Sequence, residues 1–526
     1  MITNEYKTFS RMVKAFSWVL LFAPWLVSSC SEDEGNYDYH EIPEVTISGM
    51  EDSYTVLDGA GYVLEIDPQV TTTGDPNNLE YQWKIQYYTS PDINAQHILG
   101  TERKLSWSVD ESADVNSPCT LILRVTDKTS GVTVSKFASC VKTTRLGSGI
   151  MLLAENESGN AQLQFISMAS DTVVIYNALN ATSGFEQPLG KPVAILKAGR
   201  GSFLPMPQFW LSTEQDAWRF NANFVKTDGS ELSNNLFMTD ESYELGNSIL
   251  VDAFPKSRRL GEPMIEFNSS NSAYVLSNGI ILLGSTGFVD PANIVSGENE
   301  LSLARPYLFY SSQNAFQYFL YYDYVHERFL SVDARNSLTT KLSDVEGDLF
   351  PWNNQSLNRT LQFGEPTSNT DGGSSYGNSY ALMRDKSTND YFIYKFYKNG
   401  STNVKMDFFS VGKVPTDLTQ AKFYAFSSKR TALYYAVGSK LYGLDFNRGN
   451  EKCYLIRDFG EEITCMRRDD QIAPADDYIY LATYSEGKGG TFMKLEQGMD
   501  PDKLELKEVS GEKWTGLGKV VSWSWK

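Results

Sequence analysis

Histidine is nearly missing from this 526-residue chain: His40, His97 and His326 are the whole supply. A zinc centre built from several imidazoles is therefore excluded. Cysteine is scarce at five, so stability has to come from apolar cores and not from staples. Basic residues are in deficit, 46 against 65 acidic, giving a formal charge of −19. Such a surface repels phosphate backbones and anionic headgroups, which argues against nucleic acid as a partner. No apolar run reaches membrane-spanning length. Residues 15–27 extend about 20 Å as a helix, against about 30 Å of hydrocarbon, and Pro24 interrupts them. Also missing are a Gly-x-Ser-x-Gly elbow, a His-Glu-x-x-His pair, an Asp-x-Asp-x-Asp-Gly loop and a phosphate-gripping glycine-rich helix start. No catalytic residue, metal or cofactor is expected on these grounds.

What is there begins with an address. Lys7, Arg11 and Lys14 precede the short apolar run, and Ser28-Ser29-Cys30 follows it, the order of a secretory signal. Val27-Ser28-Ser29-Cys30 resembles a bacterial lipobox, which implies removal of residues 1–29 and lipidation of Cys30. Loss of Lys7, Arg11, Lys14 and Glu5 leaves a mature charge of −21. Several acyl chains on one residue supply the multiple anchors that stable membrane attachment needs. Ser31-Glu32-Asp33-Glu34 resembles the signal that sends lipoproteins of Bacteroidota to the outer face of the outer membrane. Residues 30–42 are read as a lipidated tether.

Residues 43–145 show short alternating strands divided by turns, among them Tyr81-Gln82-Trp83 and the hairpin around Lys128-Thr129-Ser130-Gly131. This predicts an antiparallel sandwich of about 100 residues. Pairing Thr126 with Thr133 also sets Cys119 opposite Cys140. An exported chain keeps disulfides, so Cys119–Cys140 and Cys453–Cys465 are candidate bridges, with free buried thiols as the alternative. Tyr81-Gln82-Trp83, Leu123-Arg124-Val125-Thr126-Asp127 and Ser130-Gly131 together resemble PKD-like and immunoglobulin-like sandwiches. That resemblance implies a spacer or binding module and puts Trp83 and Trp107 in the core.

Residues 149–526 read as larger sheet units, with strand pairs in 149–176, 203–237, 248–283, 307–342, 380–411, 422–459 and 463–509. Seven units of about 54 residues predict a β-propeller of about seven blades. The run 517–525 is strand-like and is expected to close the ring beside Ile150. The whole chain is thus expected to be all-β.

His326, at a turn between two strands, is expected to be a solvated hairpin residue. Asp469-Asp470 and Asp476-Asp477 flank Pro474 in a loop where a cation or a sugar could bind, although acidic loops are usually only solvated. Trp352 in Phe350-Pro351-Trp352-Asn353-Asn354-Gln355 is either a loop anchor or a stacking platform. Trp352, Asn353, Asn354, Trp210 and Trp218 are the candidate ligand-binding residues. The stretch 370–377 reads as a mobile loop.

Lipobox, acidic run, sandwich and blade-like units together resemble the PKD-like surface lipoproteins of Bacteroidota. The resemblance implies a non-catalytic accessory of a TonB-dependent importer with a SusC/SusD-like transporter complex as partner, holding glycan or peptide at the outer membrane. Tethering would raise the concentration of captured ligand beside the importer. A glycan- or peptide-cleaving propeller and a purely structural importer subunit are the alternatives.

Overall fold

The computed structural model describes residues 42–57, 62–87, 96–108, 118–169, 172–179, 190–198, 208–214, 217–220, 226–231, 243–245, 249–251, 265–267, 272–277, 279–283, 292–298, 300–310, 318–333, 338–500 and 503–526. The signal, Cys30 and the tether up to residue 41 lie outside the described residues. Among these residues there is no α-helix, and none long and apolar enough to cross a membrane.

Among the described residues nine strands form the N-terminal sandwich: β1 (Val45–Ser48), β2 (Ser53–Leu57), β3 (Val63–Ile66), β4 (Gln69–Thr72), β5 (Leu79–Tyr87), β6 (Gln96–Gly100), β7 (Leu105–Ser108), β8 (Pro118–Asp127) and β9 (Thr133–Thr143). Period-2 burial is visible in β3, where Leu64 and Ile66 point inward and Val63 and Glu65 outward. One sheet runs β2-β9-β8-β5-β6, and β1-β4 and β3-β7 are two-stranded pairs. The edge pair β2–β9 is parallel, with Ser53 beside Ser139, where an antiparallel sandwich was expected. A parallel pair needs a crossover, and here the chain makes β3 to β8 between its two members. Trp83 is fully buried, and its indole N–H donates to the Glu102 carbonyl at 3.1 Å. The β8–β9 turn is held by Asp127, whose Oδ1 accepts the Ser130 and Thr129 N–H at 2.8 and 2.9 Å.

That hairpin sets Thr126 opposite Thr133 and Cys119 opposite Cys140. Both thiols are free, and Cys119 donates to the Cys140 carbonyl at 3.0 Å instead of bridging. The second candidate bridge is corrected. Cys453 lies on the outermost strand of one blade against the Tyr435 hydroxyl, 3.1 Å away, while Cys465 lies on the innermost strand of the next. The two belong to different cores, and both thiols are free.

Beyond residue 148 the sheets form a ring. The innermost strands of blades 1 to 7 are Pro192–Ala198, Ile265–Phe267, Ala304–Phe309, Arg359–Pro366, Phe423–Phe426, Glu462–Arg468 and Lys519–Trp525. Among the described residues six of these seven sheets have four or more strands and blade 2 has three, and Tyr243–Leu245 with Ile249–Val251 makes a further two-stranded sheet. Blade 7 is completed by both ends of the domain: Lys519–Trp525 pairs with Gly149–Glu155, Ile150 standing opposite Trp525. Each inner strand keeps a free edge, and radial packing leaves those edges short and protected at the channel. The inner strand of blade 7 touches those of blades 1 and 6, so the ring shuts. The fold is a β-sandwich followed by a β-propeller, with seven blades among the described residues.

Each propeller core lies between two blades, which explains the strand composition. Along Gly149–Glu155, Ile150 and Leu152 pack on Tyr480 and Phe492 of blade 6, while Met151 and Leu153 pack on Ile195 and Phe209 of blade 1. Both faces are buried, so the strand reads as an unbroken apolar run. Blade 4 starts at Arg359, ahead of the predicted unit at 380. Its inner strand carries Gly364 and ends in Pro366, both poor strand signals. Gly364 suits the position, because a Cβ there would collide with the Phe309 ring.

Candidate functional site in the central channel

The inner strands enclose a cavity of about 440 Å³ reached by residues of blades 1, 3, 4, 5, 6 and 7. One part of its wall is aromatic. Phe363 stacks on Tyr424 (5.2 Å, 19° between planes) and meets Tyr307 edge-on at 5.2 Å. The other part is charged and lies where the inner strand of blade 6 ends.

Arg467 and Arg468 are consecutive on that strand, so their side chains leave on opposite faces. Arg467 Nη2 donates to Asp470 Oδ1 at 2.8 Å, and its guanidinium lies 5.0 Å from the centre of the Trp523 ring. Both members border the cavity, with 31% and 42% of their side-chain surface accessible. Arg468 turns away from solvent. Its Nε donates to Glu365 Oε1 at 3.1 Å, and Nη2 to the Pro366 carbonyl at 2.8 Å. Glu365 Oε2 accepts the Phe426 N–H at 2.7 Å.

These settings push the two carboxyls apart. Burial raises Glu365 to about 7, although Arg468 and the Phe426 N–H pull it back. Burial acts on Asp470 too, but Arg467 and Arg468 outweigh it and hold that group below the usual carboxylate range. Tyr310, deep in the same wall, is raised by burial. Cys465 is raised by burial to about 12, so its thiol is inert. Among the described residues no cluster of three or more His, Cys, Asp and Glu could hold a metal ion.

The residues singled out from sequence fall elsewhere. Trp352 is an anchor and not a platform: it is 4% exposed, between blades 3 and 4, edge-on to Phe329 (5.7 Å) and Phe350 (5.3 Å). Asn354 is fully buried and accepts the Tyr394 hydroxyl at 2.6 Å, so it too belongs to the blade joint. Asn353 is exposed, and its Oδ1 accepts the Gln355 N–H at 3.1 Å. Trp210 and Trp218 lie on the middle strands of blade 1, and their side chains lie outside what is described. His326 is at a turn, as expected, and its Nδ1 is 2.8 Å from buried Asp323, which Arg328 also contacts.

The loop 370–377 is closely tied, not the mobile segment its composition suggests. Asn378 Nδ2 donates to Asn369 Oδ1 at 2.9 Å, and Asn369 Nδ2 to the Ser428 carbonyl at 3.1 Å. Of the four flagged aspartates only Asp470 borders the cavity. Asp477 accepts Ser427 and Ser428 of blade 5, and Asp469 accepts the Trp525 indole at 3.2 Å. Arg467, Glu365, Tyr310 and Lys422 carry no local motif. Only their positions on inner strands (Arg467, Glu365) or directly beside them (Tyr310, Lys422) mark them.

The PKD-like family matches residues 30–192, which spans the sandwich and runs into the first propeller strands. No curated protein matches the chain by sequence. Among solved structures, a quinonprotein alcohol dehydrogenase-like protein from Bacteroides thetaiotaomicron is 14% identical, over 91% of this chain and 98% of its own, with a TM-score of 0.36. A candidate 6-phosphogluconolactonase from Bacteroides uniformis is 10% identical, over 85% and 99%, at 0.31. YCF48 from Cyanidioschyzon merolae is 9% identical, over 64% and 92%, at 0.31. None superposes closely enough to lend this chain an activity.

Proposed function

We propose that this protein is a lipid-anchored, cell-surface binding module that serves a TonB-dependent importer of the SusC/SusD-like kind and catalyses no reaction. Cys30 would carry the anchor, the sandwich would be the spacer, and the propeller channel would receive the ligand. The observation that supports binding over turnover is the state of the two channel carboxylates. Glu365 already accepts from Arg468 and from the Phe426 N–H, and Asp470 from Arg467, so both carboxylates are engaged by the protein's own donors, which favours holding a ligand over attacking it.

The test is recovery from detergent-solubilised outer membranes. A tagged chain is expected to carry acyl groups on Cys30 and to bring down an outer-membrane transporter. An acyl-free Cys30, or capture of no transporter, defeats the reading.

A hydrolytic reading draws on one observation, the opposed displacement of Glu365 and Asp470 within a single cavity. It predicts polymer cleavage that Asp470→Asn abolishes.

A further inference from the structure

Four charged side chains line the cavity, and they balance: Lys422 and Arg467 against Glu365 and Asp470. An otherwise strongly acidic protein thus presents a concave site whose lining carries no net formal charge. Such a site gives a free carboxylate or phosphate no excess of cations, and an ammonium group no excess of anions.

The balanced lining is nevertheless rich in hydrogen-bonding capacity. A guanidinium has five N–H donors in a fixed fork. Arg467 uses one on Asp470, and no other hydrogen bond from it reaches a described residue. The Trp523 indole N–H, on a residue 1% exposed that also lines the cavity, has no partner among the described residues. The spare Arg467 donors reach accessible space, whereas the buried Trp523 N–H costs free energy until a ligand or solvent accepts from it. Beside them Tyr307, Phe363 and Tyr424 are only half-buried, so the wall offers aromatic surface to the cavity. The volume of about 440 Å³ suits a small organic group and not a folded partner.

We infer that the channel receives the end of a neutral saccharide chain, with vicinal hydroxyls held at the Arg467–Asp470 pair and a sugar ring lying against the Tyr307–Phe363–Tyr424 wall. A vicinal diol donates and accepts at adjacent oxygens, which matches a guanidinium beside a carboxylate. The C–H face of a pyranose is apolar and meets an aromatic surface without leaving a polar group unpaired. A peptide end would bring a full charge and amide groups for which the aromatic wall has no partner. The inference rests on the proposed binding role and assigns its ligand class.

The test is calorimetric titration of the full chain with maltotetraose, cellotetraose, xylotetraose and mannotetraose. Trigalacturonate and tetraglycine are titrated in parallel. At least one neutral tetrasaccharide is expected to bind, and Arg467→Met and Asp470→Asn each to weaken it at least about tenfold. Lys488→Ala, on an exposed lysine of blade 6, should leave affinity unchanged. Arg467→Lys keeps the charge but not the fork and should lose most of the binding, which separates geometry from folding once its melting temperature is matched. Binding of trigalacturonate or tetraglycine alone overturns the saccharide assignment and leaves the binding role standing. Binding of none of the six overturns both. Cleavage of a bound tetrasaccharide keeps the ligand class and overturns the non-catalytic role.

Discussion

Arg468 on blade 6 and Glu365 on blade 4, 103 positions apart, meet at 3.1 Å across the ring. The same carboxylate accepts the Phe426 N–H of blade 5, so one side chain ties three consecutive blades. Arg468 is 2% exposed and Glu365 15%, so removing one partner strands the other in a poorly hydrated place. Arg468→Met is expected to cost about 3–5 kcal/mol, read from urea unfolding, because it leaves Glu365 buried and uncompensated. A loss below about 1 kcal/mol would show that the joint is not held by this pair.

Glu365 also makes stability depend on pH. Its carboxyl goes from 4.5 when unfolded to about 7 when folded, so between those values the folded state holds more protons. Stability from this group is therefore greatest below about pH 4.5 and falls as pH rises towards 7. Glu365→Gln removes this contribution. The difference in unfolding free energy between wild type and variant should shift by roughly 1–3 kcal/mol between pH 4.5 and 7.5, to the disadvantage of wild type at the upper end. A pH-independent difference refutes the assignment.

Trp352 tests the joint between blades 3 and 4. Trp352→Ala should lower stability by about 3–5 kcal/mol by opening a cavity among Phe329, Phe350 and Phe396, with ligand affinity unchanged in the folded fraction. Loss of affinity with an unaltered melting temperature would return Trp352 to the surface role its loop composition suggests.

The thiols offer a chemical check. Cys119, Cys140 and Cys465 are buried, so a water-soluble thiol reagent should leave them untouched in the native protein and label them after unfolding without reductant. Peptide mapping should find no Cys453–Cys465 crosslink.

Gly364→Ala probes close approach. The added methyl would meet the Phe309 ring, so the inner strand of blade 4 has to shift. The expected result is a loss of about 1–3 kcal/mol in thermal unfolding. A neutral outcome means the ring moves aside freely.

Much of the architecture is written locally. Strand alternation has a period of two residues, so β3, β5 and the hairpin of β8 and β9 can be read from a few positions each. The hairpin register that sets Cys119 opposite Cys140 follows from turn length alone. The strand-like end of the chain and the apolar run at Ile150 both asked for partners, and each is the other's. These features depend on side chains a few residues apart or on a composition that leaves few alternatives.

The site is different in kind. Glu365, Lys422, Arg467 and Asp470 converge because inner strands from three blades face one axis, and no local pattern records a rotation about that axis. The sequence leaves the choice between anchor and platform for Trp352 open for the same reason: its loop is polar and turn-rich, and only the packing of blades 3 and 4 over it makes Trp352 the anchor and buries Asn354. Amino-acid order alone determined that this chain would be strands, in a sandwich and then about seven blades, since alternation and turns are short-range chemistry. Only the closed ring decided which charges would be buried together, because blade packing brings residues 103 positions apart into contact and sets the dielectric in which they meet.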